Sequence, residues 1–389
     1  MSIDQLLDQI LIPRPNGSEG LAQVAAFIET TLRGHTPEVE LHTFTATPYG
    51  FQLLMATALV FMLAFVAAIA RGRYGIATFL SAIVPMILVL ETEWLWSPVS
   101  GLLPLEEDNI VGVFPGHVQG PTLVLCAHYD TATQFGDHIT WARWMPIVGL
   151  AVALALALSL SGLWQRRWGR ELPRMLRLSV AGFVLVPFGA MAVFFSAGPL
   201  VRTPSPGALD NGGSVAVLLR LAERLTLRPA DAPTTVKLVF LAAEEERALG
   251  SWHYANMLRE KQSVGVINLE IVGASDQLAY VLEEGFALRR YHPSDSLVDL
   301  VRKTAQKMWG QPLAARRLPG AMYTDGRSFL AQGIAAVTLM SVYEGGPRGL
   351  HSARDSRDRL LVPQLERTVE LLAAIVARMD RDPLILRTR

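Results

Sequence analysis

The chain has 389 residues, a net charge of +0 and one cysteine, Cys126. The charge balance argues against a nucleic-acid partner, and a lone cysteine excludes an internal disulfide framework. Hydrophobic residues make up 51% and the mean hydropathy is +0.30, high for a soluble protein. The length suffices for one large α/β domain with additions or for two domains.

Met1–Asp8 has no basic segment followed by an apolar one, so no cleavable signal peptide is expected. Leu21, Val24, Ala25, Ile28 and Leu32 recur at helical spacing and predict a helix over Gly20–Leu32, followed by a strand over Val39–Phe44. Phe51–Ala70 is almost wholly apolar and uncharged, about 20 residues and roughly 30 Å as a helix, long enough to cross a bilayer. Arg71 and Arg73 stop it, and a second apolar run, Tyr74–Leu90, ends at Glu91 ahead of Trp94 and Trp96, placed like an interfacial belt. Strands are predicted over Asn109–Phe114 and Thr122–Asp130, with Pro-Gly and Gly-Pro punctuation between them. A third apolar run, Met145–Leu163, is bordered by Trp141, Trp144, Trp164 and Trp168, and a fourth covers Leu178–Ala197. Length, lack of charge and aromatic or arginine flanks favour spans over buried helices of a soluble protein.

From Pro204 onward the pattern is that of an ordinary α/β protein. Helices are predicted over Asn211–Leu227, Ser296–Trp309 and Pro363–Met379, and strands over Val236–Ala243, Val264–Val272 and Ala335–Val342. Such alternation argues for a largely parallel sheet covered on both faces. The expected organisation is one α/β domain over 1–50, 91–140 and 199–389, interrupted by transmembrane hairpins at 51–90 and 141–198. The turn of the first hairpin carries Arg71 and Arg73, and that of the second Arg166, Arg167, Arg170, Arg174 and Arg177, against an acidic segment before the first span. Lysine and arginine bias in short loops then places the turns in the cytoplasm and the α/β domain outside.

Five segments at strand ends or in the loops after them hold the candidate chemistry. His128-Tyr129-Asp130 closes a strand, where residues two apart share a face, so Asp130 can hold the His128 imidazole. Gly207-Ala-Leu-Asp210-Asn211-Gly-Gly-Ser-Val-Ala216 is a Gly-rich turn running into a helix; taken alone, Asp210 or Asn211 is simply a helix cap. Glu244-Glu245-Glu246 follows an apolar run typical of a strand buried on both faces, and taken alone it reads as an acidic turn. Glu270 stands among apolar residues in Asn268-Leu-Glu-Ile271, a costly place for a carboxylate unless it is paired or bound to a metal. His351-Ser-Ala-Arg-Asp355-Ser-Arg-Asp358 lies in a polar loop after the last strand. His128, Asp210, Glu245 (or a neighbour), Glu270 and His351 form a nitrogen and carboxylate set without a thiolate, which suits two divalent ions, zinc above all, bridged by a carboxylate. His138 is the remaining histidine expected nearest such a cleft.

In this order the motifs resemble those of the zinc aminopeptidase family that contains the bacterial leucyl aminopeptidases, glutamate carboxypeptidase II and, more distantly, glutaminyl cyclase. The family patterns are H-x-D, G-A-x-D-N-x-x-G-V-A, E-E-x-G-L-x-G-S, N-L-D-M and H-T/S-x-x-D-x-x-D, and the five segments above match them in order. The resemblance covers most of the α/β portion but not the four apolar runs. It implies the zinc-exopeptidase fold, a mostly parallel mixed sheet sandwiched between helices, with two zinc ions per chain. It implies that Asp210 bridges both ions, that His128 and Glu270 complete one site, and that Glu245 and His351 complete the other. Counted back from Gly250-Ser251, Glu244 corresponds to the general base and Glu246 to a spacer; Asp130 corresponds to the carboxylate behind His128.

Three departures stand out. Glu270 replaces the usual Asp, Arg247-Ala248 replaces Gly-Leu, and Gly326 stands where relatives often have the His of Ser-Asp-His, which puts a substrate-side contact in doubt. The expected activity is that of an aminopeptidase in a bacterial cytoplasmic membrane, its partners a peptide or small amide substrate and the lipid bilayer. A metal-activated water would be the nucleophile and Glu244 the base. The alternatives are a single-zinc glutaminyl-cyclase-like acyltransferase and a non-catalytic binding protein on the same fold.

Overall fold

A computed structural model describes residues 1–117, 120–135, 138–169, 173–196, 200–258, 263–285, 288–318, 322–343 and 348–383, with side chains described for all of these but 138–143. In chain order the elements are α1 (Ile3–Ile10), α2 (Glu19–Arg33), β1 (Glu38–Ala46), α3 (Gly50–Ala70), α4 (Tyr74–Glu93), β2 (Leu105–Phe114), β3 (Thr122–His128), α5 (His138–Trp168) and α6 (Arg174–Ser196). They continue with α7 (Gly213–Leu225), β4 (Thr235–Leu241), α8 (Leu249–Met257), β5 (Val264–Glu270), β6 (Leu278–Val281), α9 (Asp295–Trp309), β7 (Ala314–Arg316), α10 (Gly326–Ala331), β8 (Ala335–Ser341) and α11 (Val362–Arg381). The chain divides into two compact units, one of Met1–Pro48, Leu105–Thr133 and Thr203–Arg389, the other of Tyr49–Pro104 and Gln134–Arg202.

The first unit is built on an eight-stranded mixed sheet of order β1-β2-β4-β3-β5-β8-β6-β7. Its centre, β4-β3-β5-β8, is parallel, while β2 joins β4, and β6 joins β8, in antiparallel fashion. The parallel strands are apolar runs because both of their faces are covered: every residue of β5 is buried, as are six of the seven in β3. Helices supply the cover through single apolar stripes. In α2 these are Leu21, Val24, Ile28 and Leu32, begun by a Ser18 cap on the Leu21 N–H. The eight-residue α1 is absent from the sequence-based expectation; its stripe of Ile3, Leu6, Leu7 and Ile10 spans two turns only, started by a Ser2–Gln5 capping box. The short β6, β7 and α10 escape the periodicity argument for the same reason.

The register brings the C-terminal ends of the parallel strands level. His128, the last residue of β3, pairs with Leu241 at the end of β4, and Glu270 ends β5 opposite Met340. The predicted strands over Thr122–Asp130, Val236–Ala243 and Val264–Val272 each run two residues past the observed ends. Those pairs of residues leave the sheet to build the loops in which open α/β sheets place their chemistry.

The second unit consists of α3, α4, α5 and α6 with a short turn at Ser100–Leu102. Each helix is long and apolar enough to cross a membrane, by length and composition. Ser81 of α4 and Ser159 of α5 lie 3.4 Å apart through their hydroxyls, and Phe51 of α3 stacks on Phe195 of α6 at 5.1 Å. Glu91 ends the apolar part of α4 by accepting the Val99 N–H at 2.8 Å and the Ser100 N–H at 3.2 Å. Ala197, the last residue of the fourth apolar run, and Arg170 in the second hairpin turn lie outside the described residues.

Candidate metal centre

The C-terminal ends of the central strands and the loops beside them gather the five motifs. His128 is fully buried, its Nε2 3.2 Å from Asp210 Oδ1 and 3.6 Å from Glu270 Oε1. His351 Nε2 lies 3.1 Å from Asp210 Oδ2 and 3.0 Å from Glu245 Oε2. Two clusters result, His128–Asp210–Glu270 and Asp210–Glu245–His351, each with its ligand atoms within 4.8 Å of one another. Asp210 belongs to both.

The geometry fits a pair of divalent cations. His128 Nε2, which faces the cluster, makes no hydrogen bond, nor does Glu270 Oε2, although both are buried. Buried polar atoms that converge without bonding one another are the arrangement a cation would complete. Burial pushes Glu270 up to about 8 even with His128 beside it. Burial also drives Glu244 well above the ordinary carboxylate value, and Asp325, Glu270 and Glu245 add to the rise; Glu245 is raised for the same reason. Burial opposes charge on His351, yet Glu245 and Asp210 lift it to about 10. Asp210 behaves in the opposite way to the glutamates: burial is outweighed by contacts with His128 and His351, which hold it well below the usual range. The pocket therefore gathers positive charge, and metal ions displace protons from ligands of this kind. Asp210, Glu245, Glu270, His128 and His351 offer only oxygen and nitrogen, as zinc accepts.

Asp130 does more than face His128. Its Oδ1 is 3.4 Å from His128 Nδ1 and accepts the Glu244 N–H at 3.2 Å; its Oδ2 accepts the Glu245 N–H at 3.2 Å and the Asn16 amide at 2.9 Å. Asn16 Oδ1 in turn accepts the Ala243 N–H at 3.1 Å. One buried carboxylate thus fixes both the imidazole and the backbone beneath the glutamates. Asp355 plays a similar part under Asp210, accepting the Leu209 N–H at 2.6 Å and the Asp210 N–H at 3.2 Å. Asn211 braces the end of β5, donating to Leu269 O at 2.8 Å and accepting from the Ile271 N–H at 3.1 Å. Asp358 is exposed and takes no part in either cluster.

Glu246 proves to be more than a spacer. It is buried, accepts the Thr47 N–H at 2.8 Å, and is pushed up to about 8 by burial. Arg247, also buried, donates to Thr47 Oγ1 at 2.9 Å and adopts the positive φ that the glycine of the resembled pattern would supply. Positive φ recurs around the centre, at Ala243, Arg247, Ala248, Ile271 and His351, and such backbone is concentrated at functional sites. The departure at Gly326 has a steric cause: a Cβ there would stand 2.3 Å from Thr338 Oγ1 and 2.9 Å from Glu284 Oε1. Glu284, buried and accepting from Thr324 at 2.7 Å and Thr338 at 2.6 Å, fills the space. The side chain of His138 lies outside the described residues.

Known proteins resemble the chain in part of its sequence and in its fold. Residues 192–376 match the sequence profile of peptidase family M28, a span that holds Asp210, Glu244, Glu245, Glu270 and His351 but begins after His128 and Asp130. Over 74 residues the chain is 40% identical to aminopeptidase YwaD of Bacillus subtilis (strain 168), a match covering 18% of this chain and 16% of that protein. An aminopeptidase from Aneurinibacillus sp. strain AM-1 superposes with a TM-score of 0.56 at 14% identity, over 97% of this chain and 93% of its own. A Zn-dependent exopeptidase from Parabacteroides distasonis gives 0.56 at 15%, over 96% and 97%. A glutaminyl cyclase from an Acidobacteriales bacterium gives 0.54 at 15%, over 97% and 92%. The fold is that of the zinc exopeptidases.

Proposed function

We propose that the chain, with the M28 pattern on a zinc-exopeptidase fold, is a membrane-embedded zinc peptidase of the aminopeptidase type with two ions per chain. The observation that carries this reading is the pair of ligand clusters sharing Asp210, with Glu244 one residue from the ligand Glu245. When bound, zinc supplies a Lewis acid that lowers the pKa of water and polarises the scissile carbonyl. His128 and Glu270 would hold one ion, Glu245 and His351 the other, and Asp210 both. Glu244 takes the proton of the attacking water and delivers it to the departing amine. Asp130 holds the His128 ring and the Glu244–Glu245 backbone in register. The intact second cluster favours this reading over a single-zinc acyltransferase, and the retention of every ligand favours it over a non-catalytic relative.

Membrane embedding is supported by the four apolar helices and by the exposure of Val60, Phe79, Phe183, Val186 and Val193 on them, apolar surface that a bilayer would cover. The arginine-rich hairpin turns are assigned to the cytoplasm and the α/β unit to the other side. Glu244→Gln should abolish hydrolysis of aminoacyl anilides while leaving bound zinc nearly unchanged; a variant that still turns over would remove Glu244 from the mechanism.

A further inference from the structure

Arg14 sits in the loop Pro13-Arg-Pro-Asn-Gly17, where a sequence suggests a solvated side chain, yet it is fully buried. Its guanidinium donates from Nε to Tyr129 O at 2.5 Å, from Nη1 to Pro206 O at 2.7 Å, Ile10 O at 3.0 Å and Ile12 O at 3.1 Å, and from Nη2 to Gly207 O at 3.0 Å. Its backbone clasps Thr131 in both directions, the Arg14 N–H donating to Thr131 Oγ1 at 3.0 Å and the Thr131 N–H to Arg14 O at 3.2 Å.

We infer that Arg14 is a positioning residue that sets the distance between the loop carrying His128 and Asp130 and the loop carrying Asp210, an inference that rests on the metallopeptidase reading above. Tyr129 follows His128 directly, and Gly207 lies three residues before Asp210. One rigid planar group therefore bonds two of the three backbone segments whose side chains make up the first cluster, those of His128 and Asp210. The grip alternates along the strand end: Arg14 holds residues 129 and 131, while residues 128 and 130 face the centre. Room for it is built in on the opposite loop. Gly207 has φ +60°, and a Cβ there would stand 2.2 Å from Thr131 Cγ2 and 3.1 Å from Arg14 Nη2. The charge is also kept: burial lowers Arg14 to about 10, opposed by Asp130, Asp355, Asp210 and Glu245, so the group stays protonated at neutral pH. Lysine could supply the charge but not the fork, because an ammonium is a point donor on a flexible stem.

The test uses detergent-purified full-length protein with zinc or cobalt as the probe. Arg14→Lys should bind zinc about 10–100-fold more weakly in chelator competition, the range for lost ligand support. It should also shift the visible absorption of the cobalt-loaded protein, and lower kcat with KM near that of the parent. Thr131→Val, which removes one clasp but leaves the guanidinium, should fall between parent and Arg14→Lys in zinc affinity. Arg14→Lys with the parent's zinc affinity and cobalt spectrum would overturn the inference. If that variant does not fold, parent-like values in Thr131→Val overturn it instead. A parent protein that takes up no zinc would overturn the metallopeptidase reading and this inference together, whereas normal zinc uptake by parent and variants alike refutes the role of Arg14 alone.

Discussion

Replacing Asp130 by Asn changes one atom type and almost no volume, so its consequences can be worked out from the contacts. The carboxylate receives the N–H groups of Glu244 and Glu245 at 3.2 Å each and the Asn16 amide at 2.9 Å, and it faces His128 Nδ1 at 3.4 Å. An Asn side chain keeps one acceptor and gains an NH2 donor. With its oxygen in the Oδ2 position, the NH2 opposes the Glu244 N–H and donates to His128 Nδ1, which moves the imidazole proton to Nε2, the atom aimed at Asp210 and Glu270. With the amide flipped, the NH2 opposes the Glu245 N–H and the Asn16 amide, and Asn16 cannot turn over without abandoning the Ala243 N–H. Either way at least one buried donor is left without an acceptor, at a cost of about 1–3 kcal/mol each. Zinc affinity should fall about 10–100-fold, as for other lost supports of a ligating histidine. Thermal unfolding in detergent and chelator competition read the two effects separately. Asp130→Asn with unchanged melting and unchanged zinc affinity would refute this account of Asp130.

Two further outcomes are expected. His42 and His253 pack around Phe44, with ring centroids at 6.2 and 5.3 Å, and burial lowers the pKa of both, His253 also lowering that of His42. The unfolded chain therefore binds more protons as pH falls through the ordinary histidine value, so stability present above about pH 6.5 is lost below it; melting temperature should drop from pH 7.5 to 5.5 less steeply in His42→Phe than in the parent, and an identical slope would exclude this pair. In intact cells, a thiol label in the second hairpin turn should be shielded from impermeant reagent while the C-terminus is reached; protection of the C-terminus would reverse the orientation.

The sequence makes the chemistry more legible than the scaffold beneath it. His128, Asp210, Glu245, Glu270 and His351 stand out because each combines a metal-competent side chain with a strand end, a Gly-rich turn or a polar loop after a strand, and the structure brings them together. The glutamate triplet separates by register alone into Glu244, Glu245 and Glu246. What the sequence hides is support acting at long range. Arg14 bonds carbonyls 115 and 193 residues away, Asn16 reaches Asp130 across 114, and Asp355 reaches Leu209 across 146. No local period encodes such contacts, and Arg or Asn in a Pro-Gly loop looks like solvated surface. Glu284 is hidden in the same way: only the space above Gly326 reveals why a carboxylate is buried there. Glu246 is read as inert because its partner, the Thr47 N–H, is a backbone atom 199 residues distant.

The central claim is the pair of zinc ions joined by Asp210. Elemental analysis of protein purified without chelators, with aminoacyl-anilide hydrolysis followed on the same sample, tests it most directly. The account predicts two zinc ions per chain and release of the aniline. One ion per chain with cyclisation of N-terminal glutamine, or no bound metal at all, would contradict it.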